Sequence, residues 1–114
     1  MTEPLRLLFV CSRNQWRSRT AEEIFQGRPG IEVRSAGTSP QARIKVNEDH
    51  LRWADWVFVM EKRHAEILHA RFPGAVTGSR VRCLHIGDSY GFMDEELVSL
   101  LKERVAGYVD VSWL

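Results

Sequence analysis

An α/β architecture, a parallel sheet with helices on both faces, is what this 114-residue sequence predicts. Three observations predict it. Short apolar runs alternate with helical patterns along the chain. The first run, Leu5 to Val10, is apolar apart from Arg6, as a strand buried on both faces should be. Breakers stand between the segments, at Gly27, Pro29-Gly30 and Pro73-Gly74, where a helix has to stop.

The elements follow in order. After the first strand, a helix runs from about Ser18 to Gly27, with Ala21, Ile24 and Phe25 turned inward. Ile31 to Ser35 alternates as a short strand, and Gly37 to about Lys45 is loop. Asn47 can cap a helix that lasts to about Ala54, and Trp56 to Met60 is the third strand. Glu61 to Phe72 is helical, with Ala65, Leu68 and Phe72 inward. Val81 to Ile86 is the fourth strand, and Gly87 to Phe92 is loop. Asp94 opens the last helix, with Glu95 and Glu96 suiting its dipole; Leu97, Leu101, Val105 and Tyr108 share one face.

Bulk properties narrow the field. The length suits one domain spanning residues 1–114 with a modest core. Glu3 and Pro4 precede an apolar run too short for a signal peptide, and no run reaches membrane-spanning length. Two cysteines without a secretory signal point to reduced thiols and a cytoplasmic location. Residues 1–45 hold eight basic and four acidic side chains, whereas residues 46–114 hold eight and eleven. The basic half would draw an anionic substrate to its face, but a net charge of +1 argues against nucleic acid. His64 and His69 stand five apart, and His50 and His85 stand alone, so neither a metal nor another cofactor is expected and the histidines read as solvated or half-buried. Trp53, Trp56 and Trp113 suit an interface or the core equally, and Val111 to Leu114 could fold back onto the body; the oligomeric state is open.

The chemistry concentrates in one loop. Cys11-Ser12-Arg13-Asn14-Gln15-Trp16-Arg17, followed by Ser18, lies between the first strand and the first helix. A strand feeding a short loop into a helix start aims successive backbone N–H groups at one spot, with the helix dipole behind them. A cysteine at the strand end faces that spot, which favours its thiolate. Arg17 can grip two oxygens of a tetrahedral oxyanion with its planar fork. Asn14 tolerates the left-handed backbone such a loop needs. Ser18 suits a helix N-cap and could also donate its hydroxyl to the sulfur. The plain alternative is a buried structural cysteine beside a surface arginine. Ligands of such sheets sit at the carboxyl ends of strands, and the Cys11 and Asp88 loops both leave strands there.

The segment Val10-Cys11-Ser12-Arg13-Asn14-Gln15-Trp16-Arg17-Ser18-Arg19-Thr20-Ala21-Glu22 resembles the signature of the low-molecular-weight protein tyrosine phosphatases. More narrowly, it is similar to a short bacterial group of predicted tyrosine phosphatases on that fold. Further matches follow in order at Ser35-Ala36-Gly37-Thr38, Ala54-Asp55-Trp56-Val57-Phe58-Val59-Met60 and Ile86-Gly87-Asp88-Ser89-Tyr90. The resemblance covers nearly the whole chain, less a stretch that longer members carry after the Ser-Ala-Gly-Thr segment. It implies a three-layer sandwich whose four-stranded parallel sheet has the order 2-1-3-4.

It also implies an activity, a cysteine-dependent phosphomonoesterase working through a cysteinyl-phosphate, with a phosphotyrosine protein or a small aryl phosphate as substrate. Cys11 is then the nucleophile. Arg17 and the backbone of Ser12, Arg13, Asn14, Gln15 and Trp16 bind the phosphoryl oxygens. Asn14 is tied to Ser35 to shape the loop. Asp88 stands where the family keeps its general acid in an Asp-Pro-aromatic motif, although a turn former would look the same. Asp94 is a rival acid by composition, but suits the last helix cap better. Tyr90 lines the pocket or is a surface aromatic.

Departures from the family pattern are few but placed at the site. Ser89 replaces the proline, so Asp88 is less restrained. Arg13 replaces a loop glycine, which raises the question of backbone shape, and Arg19 replaces a proline. The missing stretch leaves a shallower or differently walled pocket. Trp16 stands where many members have a second cysteine; Cys83, inside a predicted strand, reads as core, so oxidised Cys11 would have little disulfide protection. Arsenate reductase, which shares the loop but needs relay cysteines, and a non-catalytic oxyanion-binding module remain the alternatives.

Overall fold

The computed structural model describes residues 3–76 and 80–110. Strand β1 (Leu5–Cys11) leads into helix α1 (Arg17–Phe25), then β2 (Ile31–Gly37), α2 (Glu48–Trp53) and β3 (Trp56–Val59). Helix α3 (Lys62–Arg71), strand β4 (Val81–Cys83) and helix α4 (Glu95–Ala106) follow. The four strands form one parallel sheet in the order β2-β1-β3-β4.

The alternation of β1 builds the three layers. Leu7, Phe9 and Cys11 point to one face, where Ala21, Ile24 and Phe25 of α1 and Leu97, Leu101 and Val105 of α4 cover them. Leu8 and Val10 point to the other, against Leu51 of α2 and Leu68 of α3. Because both faces are buried, the strand can carry almost no polar residue. Phe9 lies at the centre, its ring 5.5 Å from both Phe25 and Phe58. Trp56 stacks on Phe58 at 5.8 Å, and Trp53 holds Arg34 over its ring at 4.3 Å, so both tryptophans spend their area within the fold. Trp113 and the 111–114 tail lie outside the described residues. Among the described residues, no helix is long and apolar enough to cross a membrane.

Helix starts follow the cap chemistry where the cap is a short polar side chain. Asn47 accepts from the His50 amide, and Asp94 accepts from those of Glu96 and Leu97. Helix α1 differs. It begins at Arg17, with Trp16 as its cap residue, and Ser18 sits inside the first turn without capping it. Strand β4 also stops early, at Cys83 instead of Ile86. His85 adopts a left-handed backbone at φ 55°, and Arg104 takes the carbonyls of Leu84 and His85 that a further strand would need. The amides of Leu84 and Ile86 still reach Val59 and Met60.

Gly37, the last residue of β2, lies against the loop after β1. A Cβ there would stand 2.5 Å from the Ser12 carbonyl oxygen and 2.7 Å from the Ala42 methyl. Gly37→Ala should therefore lower stability by about 1–3 kcal/mol, the usual cost of a forced backbone shift. A denaturant midpoint equal to that of the parent protein would contradict the close approach.

Candidate active site

The loop after β1 takes its shape from outside. The carbonyl of Cys11 accepts from the Thr38 amide, that of Ser12 from Ser39, and that of Arg13 from Arg43. The Asn14 carbonyl accepts from Arg43 Nε at 3.1 Å. Four consecutive carbonyls are thus turned toward the segment after β2. In a trans peptide the N–H lies opposite its C=O, so the amides of residues 12–15 face the other way, into the loop. The Asn14 amide shows the result, reaching Cys11 Sγ at 3.2 Å. Asn14 adopts φ 56°, as the loop requires, whereas Arg13 is not among the left-handed residues. An arginine in the family's glycine position therefore costs the backbone nothing here.

A directed relay sets the sulfur's surroundings. Asn14 Nδ2 donates to Ser18 Oγ and to Ser35 Oγ, each at 2.8 Å. With one lone pair of Ser18 Oγ so engaged, its proton is available to Cys11 Sγ at 3.0 Å, with the Ala36 carbonyl more distant at 3.4 Å. Ser35 donates a hydrogen bond to Glu22, which also pairs with Arg43 at 3.8 Å. Cys11, Asn14, Ser18 and Ser35 are all buried, so these bonds act in a low dielectric. The arrangement has a cost, because Asn14 Oδ1 is buried without a hydrogen-bond partner among the described residues.

Arg17 enters the same interior, only 4% exposed. Its Nη1 donates to Glu61 Oε2 at 2.6 Å and to the Ile86 carbonyl at 2.8 Å. The bond from Arg17, aided by Arg63, holds the Glu61 carboxyl down to about 2. Ser12 Oγ lies 2.9 Å from His64 Nε2. His64 Nδ1 accepts from the Glu61 amide at 3.0 Å, so the neutral ring carries its proton on Nε2 and donates it to Ser12. Burial first, then the charges of Arg17 and Arg63, hold His64 down to about 4.

The remaining sequence candidates are spread wider. Gln15 and Trp16 are exposed, the indole by 50%. Asp88 is exposed on the loop after β4 and borders an open cleft of about 490 Å³ together with Ser12 and Arg13. Tyr90 does not line that cleft and packs half-buried against the α1–α4 side of the core. Partial burial and the Glu96 carboxylate raise its phenol above the ordinary value. Asp94 serves α4 as its cap and takes no part in the cluster. Cys83 belongs to the opposite face of the sheet from Cys11 and sits two strands away, level with Val59 and Val10. Two strand spacings make roughly 10 Å, beyond the about 7 Å that a disulfide spans. Among the described residues, no group of three His, Cys, Asp or Glu is placed to hold a metal.

Glu61 and His64 were not legible as site residues. His64 is fully buried rather than solvated or half-buried, because Ser12 and the Glu61 amide satisfy both its nitrogens. One signal existed for Glu61: it directly follows Met60 at the carboxyl edge of β3, the edge that singled out Cys11 and Asp88.

His64 gives a pH signature. Its folded value lies below the ordinary 6.5, so between pH 6.5 and about 4 the unfolded chain binds a proton that the folded chain refuses. Stability should fall as pH drops through that window, by roughly 3 kcal/mol in all. His64→Gln should flatten that part of the curve, while the loss due to Glu61 stays below pH 4.5. Denaturant midpoints measured from pH 7 to 4 check this, and an unchanged slope in the variant would contradict it.

No family model matches the sequence. A protein-arginine-phosphatase of Geobacillus stearothermophilus is 31% identical over 96 residues, which cover 63% of this chain. That match spans 65% of the relative, just under two thirds of its length. Among solved structures, the YwlE arginine phosphatase from Geobacillus stearothermophilus superposes with a TM-score of 0.69 at 27% identity, covering 91% of this chain and 92% of that one. The low-molecular-weight protein tyrosine phosphatase from T. tengcongensis gives 0.73 at 22% identity, over 92% and 99% of the two chains. With its β2-β1-β3-β4 sheet and the loop from Cys11 to Arg17, this chain takes its place in the low-molecular-weight protein tyrosine phosphatase fold.

Proposed function

We propose that the chain is a cysteine-dependent phosphomonoester hydrolase that acts on phosphorylated protein side chains, phosphotyrosine first among them. The observation that carries this reading is the Cys11 sulfur, which meets the Asn14 amide and the Ser18 hydroxyl inside a loop whose first four carbonyls, Cys11 to Asn14, face outward. A tetrahedral dianion fits such a lining because the groups around the sulfur, the Asn14 amide and the Ser18 hydroxyl among them, can donate hydrogen bonds.

The chemistry follows from these placements. The Cys11 thiolate attacks phosphorus in line, forming S–P as the P–O bond to the leaving phenol breaks. Amides from Ser12 to Arg17, those of residues 12–15 turned inward, hold the equatorial oxygens. Nη1 of Arg17 is committed to Glu61 and Ile86, which presents the Nε–Nη2 edge as the two-pronged donor for the phosphoryl group. Asp88 gives its proton to the departing oxygen. In the second step, water attacks phosphorus, Asp88 takes the water's proton, and the S–P bond breaks to return the thiolate. Ser18 stabilises the sulfur at both ends of the cycle. The arsenate-reductase alternative loses support, because Cys83 is beyond reach of Cys11.

A second substrate is favoured by the curated relative, whose name is protein-arginine-phosphatase. Phosphoarginine would use the same first step, with Asp88 protonating the guanidine nitrogen as P–N breaks.

One assay series separates these readings. Cys11→Ser should abolish phosphate release from a phosphotyrosine peptide, Arg17→Ala should cost about 10²–10³-fold, and Asp88→Asn about 10²–10⁴-fold. Faster turnover of phosphoarginine than of phosphotyrosine peptides would transfer the assignment to the second substrate. Phosphate bound without turnover of either would leave only the oxyanion-binding module.

A further inference from the structure

A groove leads out of the candidate site, and its walls carry more positive charge than the chemistry at Cys11 uses. It starts at Ser12, Arg13 and Asp88 and runs along α3 past Arg63, Ile67 and Arg71. Those three helical residues are spaced four apart, so they form one stripe on one face. Arg13, Arg63 and Arg71 are all exposed.

The partners of these arginines leave the charge largely in place. Arg13 Nη2 donates to the neutral Gln41 amide oxygen at 3.1 Å, and Arg71 Nη1 donates to the Thr38 carbonyl at 2.8 Å. Arg63 meets Glu61 Oε2 at 3.0 Å, but that carboxylate already serves Arg17. One carboxylate shared by two guanidiniums leaves a net positive charge there. Asp88 is the acidic side chain on the groove's wall.

We infer that this groove binds an acidic stretch of polypeptide beside the phosphorylated residue, so that the preferred substrates are phosphoproteins with Glu or Asp close to the phosphosite. The inference rests on the reading of Cys11 as a phosphatase nucleophile and adds the substrate class. Length argues for a chain over a small anion. Eight residues of helix separate Arg63 from Arg71, roughly 12 Å, which matches three to four residues of extended peptide. Two carboxylates about three to four positions apart therefore match the spacing of the two guanidiniums, while Ile67 offers apolar surface between them.

The test compares phosphopeptides that are identical except for two Glu, two Gln or two Lys within four positions of the phosphoresidue, on either flank. The account expects kcat/KM to rank Glu over Gln over Lys, with the first step roughly three- to tenfold, the yield of two exposed ion pairs. High salt should erase the ranking. An R63Q R71Q double variant should bring the ratio close to one, and R63Q alone should reduce it if the change at Arg71 disturbs folding. Small aryl phosphate hydrolysis by each variant serves as the normaliser. Equal kcat/KM for the three peptides, or a ranking untouched in both variants, would overturn the inference while leaving the phosphatase reading intact. Should no peptide be turned over, fluorescence anisotropy of a labelled unphosphorylated Glu peptide decides: salt-sensitive binding lost in the variants supports the groove, and no binding, or equal binding of a Gln peptide, refutes it.

Discussion

The outward turn of four consecutive carbonyls, from Cys11 to Asn14, is the constraint on which the site depends. A loop of this length could satisfy its backbone in many ways, and any that pointed carbonyl oxygens inward would repel an anion. Here the segment after β2 supplies Thr38, Ser39 and Arg43 as donors, so the polarity of the loop is decided by its neighbour. Gly37 makes that neighbour's approach possible, since any side chain would strike the Ser12 carbonyl. The missing side chain of one glycine thereby fixes the electrostatics of the neighbouring pocket.

The other half of the site is tied to the sheet's opposite layer. His64 and Glu61, at the start of α3, reach across to Ser12 and Arg17. The Ile86 carbonyl holds the same guanidinium from beyond β4. Loop, helix start and two strand ends thus meet at the carboxyl edge, each supplying a bond that the others cannot. Such sharing places buried polar groups in one network, which orders them closely and makes each sensitive to loss of its partner.

How much of this the sequence carries depends on the range of the interaction. The buried strands, the caps at Asn47 and Asp94 and the left-handed Asn14 are local properties, and they stand in the structure as the residues suggest. Three features escape local reasoning. Ser18 has the composition of a cap, yet Asn14 and Cys11 claim its hydroxyl and the helix starts one residue earlier. Strand β4 ends at Cys83, beyond which His85 turns left-handed and Arg104 arrives from α4 to take the carbonyls of Leu84 and His85. The buried state of His64 depends on Ser12, 52 residues away, and no pattern around the histidine announces it.

An anion cradle centred on one sulfur is the central claim, and crystals soaked in tungstate test it most directly. The account predicts the anion seated over Cys11 Sγ, with amide nitrogens from Ser12 to Arg17 and the free edge of the Arg17 guanidinium at hydrogen-bond distance. Tungstate bound elsewhere, or a loop whose carbonyls turn inward with the sulfur bare, would contradict it.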